Sequence, residues 1–276
     1  NAEVPKHGFS EQETQKMVEA NTQAAFFQTL NPTLFASGAV LSYEIIDKTE
    51  AEAYAEYNEA GYLIMSYNFA FQSRKAKMTM AENLPEGVQL VIFTDSNSKG
   101  EASRIKSEFG EYIDRDRITV VYTPRAANGF WARDGVPVPV FRRPKGKTGA
   151  EAFTVVDARY SRFEQDIKFS RLFESQMTRY NYFFEGGNFI ANDQNECLVV
   201  NKTATAQIPN VVFEDHYGCK KLVRLPHVKG IGHADESVKF VDANTVLTDE
   251  ASYVPILEDH GYQVVRLPRP QGRYET

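Results

Sequence analysis

Short apolar stretches alternate with helical stretches from Gly61 onward, and this alternation restricts the fold more than any other feature of the sequence. The first part reads YLIMSYNF, a helical stretch rich in Lys and Ala, VQLVIFTD, SRIKSEFGEYI and ITVVYTP. Short runs rich in Val, Ile, Tyr and Phe are typical of buried strands, and helices between such strands are typical of α/β proteins. The sequence therefore predicts an α/β fold.

The same order of strand and helix returns in the second half of the chain. Its stretches are FTVVDARY, FFEGGNFIAND, ECLVVNKT, KLVRLPH, SVKFVDANTVLTD, YVPILEDHG and YQVVRLPRP. We interpret both halves as degenerate repeats of one strand–helix unit. The segment RRPKGKTGAE, rich in Gly and basic residues, is predicted as a loop. Because no segment has the composition of a long linker, residues 61–276 are expected to form a single domain.

Residues 1–60 are predicted to form an N-terminal helical extension. The stretch 10–30 begins with Ser10 and carries Glu13 three positions later, a pairing that caps the start of a helix, and Asn31-Pro32 ends it. The stretch TEAEAYAEYNEAG (49–61) is predicted as a second helix, with Gly61 as a left-handed cap at its C-terminal end.

The composition is that of a globular chain and disfavours two classes of function. Of 276 residues, 42% are hydrophobic and 25% are charged, which is sufficient for a core and argues against disorder. The net charge of -6 argues against binding nucleic acid, which needs an excess of Lys and Arg, and fits small cationic or peptide substrates. No apolar run approaches the roughly 20 residues of a membrane span, so no membrane association is expected.

The two cysteines are too few for a disulfide framework in a chain of this length. Cys197 lies in the apolar stretch ECLVV and is interpreted as a small buried apolar residue, while Cys219 follows an apparent turn. The chain starts at Asn1 rather than Met, which is typical of a chain that has lost a leader and also of a trimmed one. Export is therefore an expectation.

Three clusters of polar residues fall where predicted strands end. Taken singly, each has an ordinary interpretation as a solvated charge pair, a turn or a surface histidine. Their recurrence at strand ends instead favours one shared site. The clusters are Trp131, Arg133 and Asp134; Glu185, Gly186 and Gly187; and His233 with Asp235.

The residue types in these clusters suit the binding of a guanidinium group. Asp134 and Asp235 can each accept the paired N–H groups of the planar guanidinium fork. Glu185 can hold the imidazole of His233, which then serves as general acid and base. His233 and Asp235 stand two apart, so an extended backbone would point both side chains to one side.

The remaining residues of the clusters are expected to shape the pocket. Gly186 and Gly187 let the backbone approach a ligand closely, because glycine has no side chain. Trp131, the only tryptophan, is expected to form an apolar wall that excludes water, and Arg133 is expected to contact the substrate.

The motifs W-x-R-D, E-G-G-N and G-H-x-D-x-x-x-x-F occur in this order, with strand–helix units between them. In this order they resemble the guanidine-modifying enzyme superfamily, and most of all its agmatine deiminase and bacterial peptidylarginine deiminase branch. The resemblance covers residues 61–276. It implies a five-bladed pseudo-symmetric α/β propeller, the pentein fold, with the active site on its axis.

The resemblance also implies a mechanism. Asp134 and Asp235 would grip the guanidinium while Glu185 orients His233, the general acid and base. A cysteine near the C-terminus of family members attacks the guanidinium carbon, ammonia leaves, and water releases the ureido product. No metal or organic cofactor is implied, and the substrate would be agmatine, arginine or a peptidyl-arginine.

Three segments depart from the family pattern. The first is Arg133-Asp134-Gly135-Val136-Pro137, where family members usually read R-D-x-G-P. The chain ends at PRPQGRYET without a G-G-x-x-H-C segment, so most of the last blade and the nucleophile are expected to be missing from it. A C-terminal fragment or an oligomeric partner is expected to complete the fold. The stretch VVDARYSRFEQD corresponds to a family segment in which two arginines bind a substrate carboxylate. Arg162 either matches the first of these arginines or is an ordinary surface arginine. Glu164 stands at the position of the second.

Two other classes of function stay open at this point. One is a binding protein of the same fold that recognises a cationic ligand without catalysis. The other is a metalloprotein, although its ligands lack the paired short spacing of a structural zinc site. Its ligands would be His216, Cys219, His227 and His233.

Overall fold

A computed structural model describes residues 49–124, 132–135, 138–147, 152–159, 166–228 and 230–268. Within these ranges the strands form four sheets, with helices packed between and beside them. The predicted α/β class is confirmed. The helix predicted at 10–30 lies outside the described residues.

The first sheet consists of three parallel strands in the order β2-β3-β4. Its strands are β2 (Tyr62–Ser66), β3 (Gln89–Thr94) and β4 (Ile118–Tyr122), and its crossover helices are α1 (Arg74–Glu82) and α2 (Lys99–Phe109). The central strand β3 is buried on both faces, as its continuous apolar sequence predicts. Leu90 and Ile92 pack with α1 and α2, whereas Val91 and Phe93 face a second apolar cluster.

The second sheet has four strands in the order β1-β5-β6-β7. They are β1 (Thr49–Ala53), β5 (Val138–Pro144), β6 (Ala152–Arg159) and β7 (Gln176–Phe183). Strand β5 pairs antiparallel with both β1 and β6. Helix α4 (Asp166–Leu172) then connects β6 to β7, which runs parallel to β6. The predicted loop RRPKGKTGAE therefore begins too early, because β5 continues to Pro144.

The helix predicted from Thr49 to Gly61 is wrong, because this segment begins with strand β1. Glu50 and Glu52 both pair with Arg143 of the neighbouring strand, at 2.9 and 3.3 Å, and Ala53 faces the core. Ala and Glu favour a helix locally, but their alternation also fits the two faces of a strand. Pairing with β5 decides between the two, since tertiary contacts override weak propensities. Residues assigned to the N-terminal extension thus contribute a strand to this sheet.

The third and fourth sheets share one arrangement with the second. In each, two antiparallel strands are followed by a helix and by a strand parallel to the second of them. This recurrence agrees with degenerate strand–helix repeats. The elements are β8 (Ile190–Ala191), β9 (Glu196–Val200), α5 (Thr203–Ala206), α6 (Asn210–Tyr217) and β10 (Lys221–Leu225), then β11 (Val238–Phe240), β12 (Thr245–Thr248), α7 (Val254–Asp259) and β13 (Gln263–Arg266).

Cys197 is fully buried, as expected, but it forms a disulfide with Cys219, which the sequence did not predict. Helix α6 ends at Gly218, whose φ of +78° turns the chain back and brings Cys219 beside β9. A side chain at this glycine would collide with the backbone carbonyl of Ala51. The bond closes a loop with a sequence separation of 22, which on the chain-entropy account stabilises the fold by about 3 kcal/mol.

None of the helices in the described ranges has both the length and the apolar character that crossing a membrane requires.

Candidate active site

Two 3-10 turns and one short helix, each beside a strand in the sequence, position the site. Glu185 follows β7 and precedes a 3-10 turn at Gly186–Asn188, and His233 precedes a 3-10 turn at Ala234–Glu236. Asp134 lies on the short helix α3 (Ala132–Gly135), which packs on the first of these turns. The two 3-10 turns also contact each other, so residues far apart in sequence meet at one place.

Asn188 joins these turns through its fully buried side-chain amide. It accepts a hydrogen bond from the backbone N–H of Val200 at 2.7 Å and donates to the carbonyl of Val200 at 2.9 Å. It also donates to Thr205 Oγ1 at 2.9 Å and accepts from the N–H of Ala234 at 3.2 Å. One amide thus fixes the end of β9 and the residue after His233 relative to Glu185.

His233 lies at the centre of the site and is 3% exposed. Its Nε2 is 2.8 Å from Glu185 Oε2, and its Nδ1 is 3.4 Å from Asp134 Oδ1 and 4.0 Å from Asp235 Oδ1. The predicted convergence of these four side chains is confirmed. The backbone at His233 is extended, as expected, but the next residues are not, because Asp235 lies in the 3-10 turn Ala234–Glu236.

Gly187 brings the backbone directly against these groups, as expected of a glycine in this position. Its N–H donates to Asp134 Oδ1 at 3.2 Å. A Cβ atom here would lie 2.7 Å from Asp134 Oδ1, 2.8 Å from Asp235 Oδ2 and 2.8 Å from His233 Nδ1. These distances are too short for carbon, so the site accepts only glycine without rearrangement.

Arg133 is directed mainly towards protein groups rather than into the site. Its Nη2 donates to Glu56 Oε1 at 2.6 Å and to the carbonyl of Phe189 at 2.7 Å, and its Nε donates to the carbonyl of Gly186 at 3.3 Å. Its Nε is also 3.9 Å from Asp235 Oδ2. Sequence reasoning missed Glu56, because that residue belongs to the segment expected to form the N-terminal helix.

The three carboxyl groups have different electrostatic environments. Burial raises the pKa of Asp134, although the nearby His233 opposes the shift. Burial also raises the pKa of Asp235 to about 6, against the influence of Arg133 and His233. Burial alone would raise the pKa of Glu185, but its hydrogen bonds with His233 and Lys202 lower it to about 2. The site therefore combines one firmly ionised carboxylate with two that favour a proton or a cation.

Lys202 is a second site residue that sequence reasoning missed. It follows β9 and precedes helix α5, and its Nζ forms an ion pair with Glu185 Oε2. The same Nζ donates to the carbonyl of Ile231 at 3.4 Å. Its local sequence carries no signal that distinguishes it from a surface lysine.

Trp131 and Arg162 lie outside the described residues. The zinc alternative is wrong, since Cys219 is held in the disulfide, and in the described residues the possible ligands grouped with His233 are Asp134 and Glu185 rather than His216 or His227. Within the described part of the chain, ligand atoms of Asp134, Glu185 and His233 all lie within 4.8 Å of one another. Each ring nitrogen of His233 faces a different carboxylate, however, and this arrangement suits proton exchange better than metal coordination.

No protein-family model matches the chain, and no curated protein matches its sequence. Solved structures do share its fold. An agmatine deiminase from C. jejuni superimposes with a TM-score of 0.61 at 14% identity, over 84% of this chain and 78% of that one. A putative arginine deiminase from Porphyromonas gingivalis gives 0.60 at 13% identity, over 82% of this chain and 78% of that one.

A third similar structure is described as a putative peptidyl-arginine deiminase, with a TM-score of 0.59 at 12% identity over 80% of this chain and 77% of that one. At such low identities the likeness shows a shared fold alone. The chain therefore has the mixed α/β fold of these deiminase structures.

Proposed function

We propose that this site binds a guanidinium group and that the protein is a hydrolase acting on guanidino groups, such as those of agmatine or a peptidyl-arginine. The observation that carries the proposal is the meeting of Asp134, Asp235 and Glu185 around His233. The fold shared with deiminase structures supports it.

Asp134 and Asp235 are proposed to grip the guanidinium. Both carboxyls have a raised pKa, because they are buried close together near a third acidic group. A bound cation supplies the opposite charge that both need in order to ionise. A planar guanidinium also offers each of them paired N–H donors, which an ammonium group cannot do. The pocket is thus expected to select guanidinium over ammonium.

His233 is proposed as the general acid and base. Glu185 accepts a hydrogen bond from Nε2, which favours the tautomer with its proton on that nitrogen. Nδ1 then faces Asp134 and Asp235, where the guanidinium is proposed to lie. From this position an imidazolium protonated at Nδ1 gives that proton to the departing ammonia, and the neutral imidazole that remains, with its N–H on Nε2, takes a proton at Nδ1 from the attacking water.

The nucleophile of the proposed reaction is a cysteine thiolate, as in the family that the motifs resemble. Both cysteines of the 276 residues are joined in the disulfide, and a disulfide sulfur is not a thiolate. We therefore propose that the thiolate comes from outside these residues, on a C-terminal segment or a partner chain. The same segment would complete a five-bladed propeller.

A second candidate function is the binding of a cationic guanidino ligand without catalysis. The observation that favours it is the pairing of both cysteines, which leaves these residues with the acidic groups around His233 and no cysteine thiolate. Trp131 as an apolar wall, Gly186 as a close backbone wall and Arg162 as a carboxylate contact remain predictions under either function.

Export of the protein also remains a proposal. The disulfide supports it, because such bonds persist mainly in oxidising compartments. Thiol counting in protein fractionated from its native cells would test it, and reduced protein in the cytoplasmic fraction would contradict it.

Calorimetry tests the binding step with agmatine, a peptidyl-arginine and cadaverine, which carries an ammonium where agmatine has its guanidinium. We expect agmatine or peptidyl-arginine to bind at least about tenfold more tightly than cadaverine, since one charge-assisted hydrogen bond contributes about 1.5 kcal/mol or more. The variant Asp235→Asn should lose this preference. Equal affinities for agmatine and cadaverine in the unmodified chain would refute the guanidinium site.

An assay for ureido product and ammonia separates the two candidate functions. The 276-residue chain should bind agmatine or peptidyl-arginine without turning it over, because it offers no thiolate. Turnover should appear when a cysteine-containing C-terminal segment is present, and its absence there would favour the binding protein. Turnover by the 276 residues alone, unchanged when both cysteines are replaced by serine, would refute the covalent-cysteine mechanism.

A further inference from the structure

The side chain of Lys202 forms an ion pair with Glu185, the carboxylate that binds the proposed general acid and base. Lys202 Nζ and His233 Nε2 both bind the same oxygen of Glu185, Oε2. The lysine side chain is 15% exposed and the glutamate 19%, so the pair is largely shielded from water. Such a shielded ion pair interacts more strongly than an exposed surface pair.

The backbone of Lys202 is held in place independently of this ion pair. Its N–H donates to the carbonyl of Val200 at 2.9 Å, and its own carbonyl accepts from the N–H of Ala206 at 2.8 Å. Val200 is in turn fixed on both its backbone groups by Asn188. The ammonium is therefore presented by a rigid strand end, unlike a lysine on a mobile surface loop.

We propose that Lys202 is a positioning residue: it keeps the Glu185 carboxylate ionised and turned towards His233. This inference rests on the proposed function, in which Glu185 orients the imidazole. A cation within bonding distance favours the ionised form of a carboxyl group, and an ion pair on one side restricts its rotation. By holding Oε2 where His233 Nε2 can reach it, Lys202 acts on the reaction through Glu185 rather than by touching the ligand.

Several charged groups of the described residues act on Glu185, and they come from different elements. The lysine ammonium and the imidazole each donate a hydrogen bond to the Glu185 carboxylate, and both bonds lower its pKa. One acidic group, on the other side of the imidazole, repels the Glu185 carboxylate and so opposes its ionisation. These groups are Lys202 before α5, His233 before the second 3-10 turn, and Asp134 on α3.

The test compares Lys202→Met, which keeps the length and removes the charge, with Lys202→Arg, which keeps the charge. The carboxyl carbon of Glu185 is followed by NMR as pH is lowered, on the 276-residue chain without ligand, and Glu185→Gln assigns its signal. In Lys202→Met we expect protonation to begin at a pH about one unit or more higher than in the unmodified chain. Lys202→Arg should restore the original titration.

Lys220→Met is the matched control, because Lys220 is exposed and lies outside the site; it should titrate like the unmodified chain. An unchanged titration in Lys202→Met, or an equal shift in Lys202→Arg, would overturn the proposal. If Lys202→Met does not fold, Lys202→Gln replaces it. Loss of folding in both neutral variants would assign the lysine a structural role only and would also overturn it.

This experiment contains no ligand, so its failure differs from failure of the proposed function. A shifted titration with no preference for guanidinium in calorimetry would refute the function and leave the ion pair's effect on Glu185 standing. A clear guanidinium preference with an unchanged titration would refute the role of Lys202 alone.

Discussion

Substituting Gly187 by alanine should weaken ligand binding strongly while leaving most of the stability intact. The new Cβ would lie 2.7 to 2.8 Å from atoms of Asp134, Asp235 and His233. A carbon contact needs about 3.4 Å or more, so each group must withdraw by about 0.6 Å. The three groups are side-chain ends, which move more easily than backbone. We therefore expect a cost in folding free energy of about 1 kcal/mol, at the low end for overpacking.

The effect on binding should be larger than the effect on folding. Each charge-assisted hydrogen bond to the guanidinium contributes about 1.5 to 3 kcal/mol, and displacing either carboxylate forfeits at least one of them. The affinity for agmatine should thus fall by roughly tenfold to a hundredfold or more. Calorimetry measures the affinity, and urea unfolding of the same preparation measures the stability.

Gly61→Ala provides the matched control. Nothing lies within 4 Å of a Cβ at Gly61, so this variant should bind and unfold like the unmodified chain. If Gly187→Ala binds agmatine with unchanged affinity, the ligand does not lie among these three side chains, and the proposed site is refuted.

Three further outcomes follow from the site. Asp235 must be ionised to hold a cation, and its pKa is raised to about 6, so the affinity for agmatine should be full above pH 6 and fall as the pH drops through that value. Calorimetry from pH 5 to 8 measures this dependence, and an affinity that does not change with pH would contradict it. Glu185 has a lowered pKa of about 2, so its ion pair and hydrogen bond stabilise the fold above the usual Glu value and lose this effect as pH falls towards 2. The stability difference between the unmodified chain and Glu185→Gln should accordingly shrink between about pH 4.3 and pH 2 in urea titrations, and a constant difference would argue against the pairing. Asn188→Ala leaves backbone groups of Val200 and Ala234 without their partner, so unfolding should cost about 3 kcal/mol less, and a loss below about 1 kcal/mol would show that water replaces the amide.

The sequence predicted the acidic groups and the histidine of the site, because the motifs that carry them lie beside apolar stretches and occur in the order of the family they resemble. Strand ends of neighbouring units meet in an α/β fold, so Asp134, Glu185 and His233 were expected to converge. The structure confirms their convergence. The ligand-facing role expected for Arg133 stays a prediction, and the structure shows that most of its donors face Glu56 and two carbonyls.

Features that depend on contacts between distant segments were not predictable in the same way. The segment Thr49–Ala53 has good helix formers, and only its pairing with β5 makes it a strand. The disulfide depends on the turn at Gly218, which places Cys219 beside β9, and no spacing rule shows this. Lys202 looks like any surface lysine until the fold brings it to Glu185.

The contacts that build the site also determine when it can appear during folding. Gly187 and Asp134 are 53 positions apart, Glu185 and His233 are 48 apart, and Asn188 and Ala234 are 46 apart. Contacts of such long range require several sheet units to have docked already, and contacts of this kind form slowly. The site should thus be absent from partly folded chains, which makes ligand binding a reporter of completed assembly. A ligand that binds only this late state would also raise the free energy of unfolding by mass action.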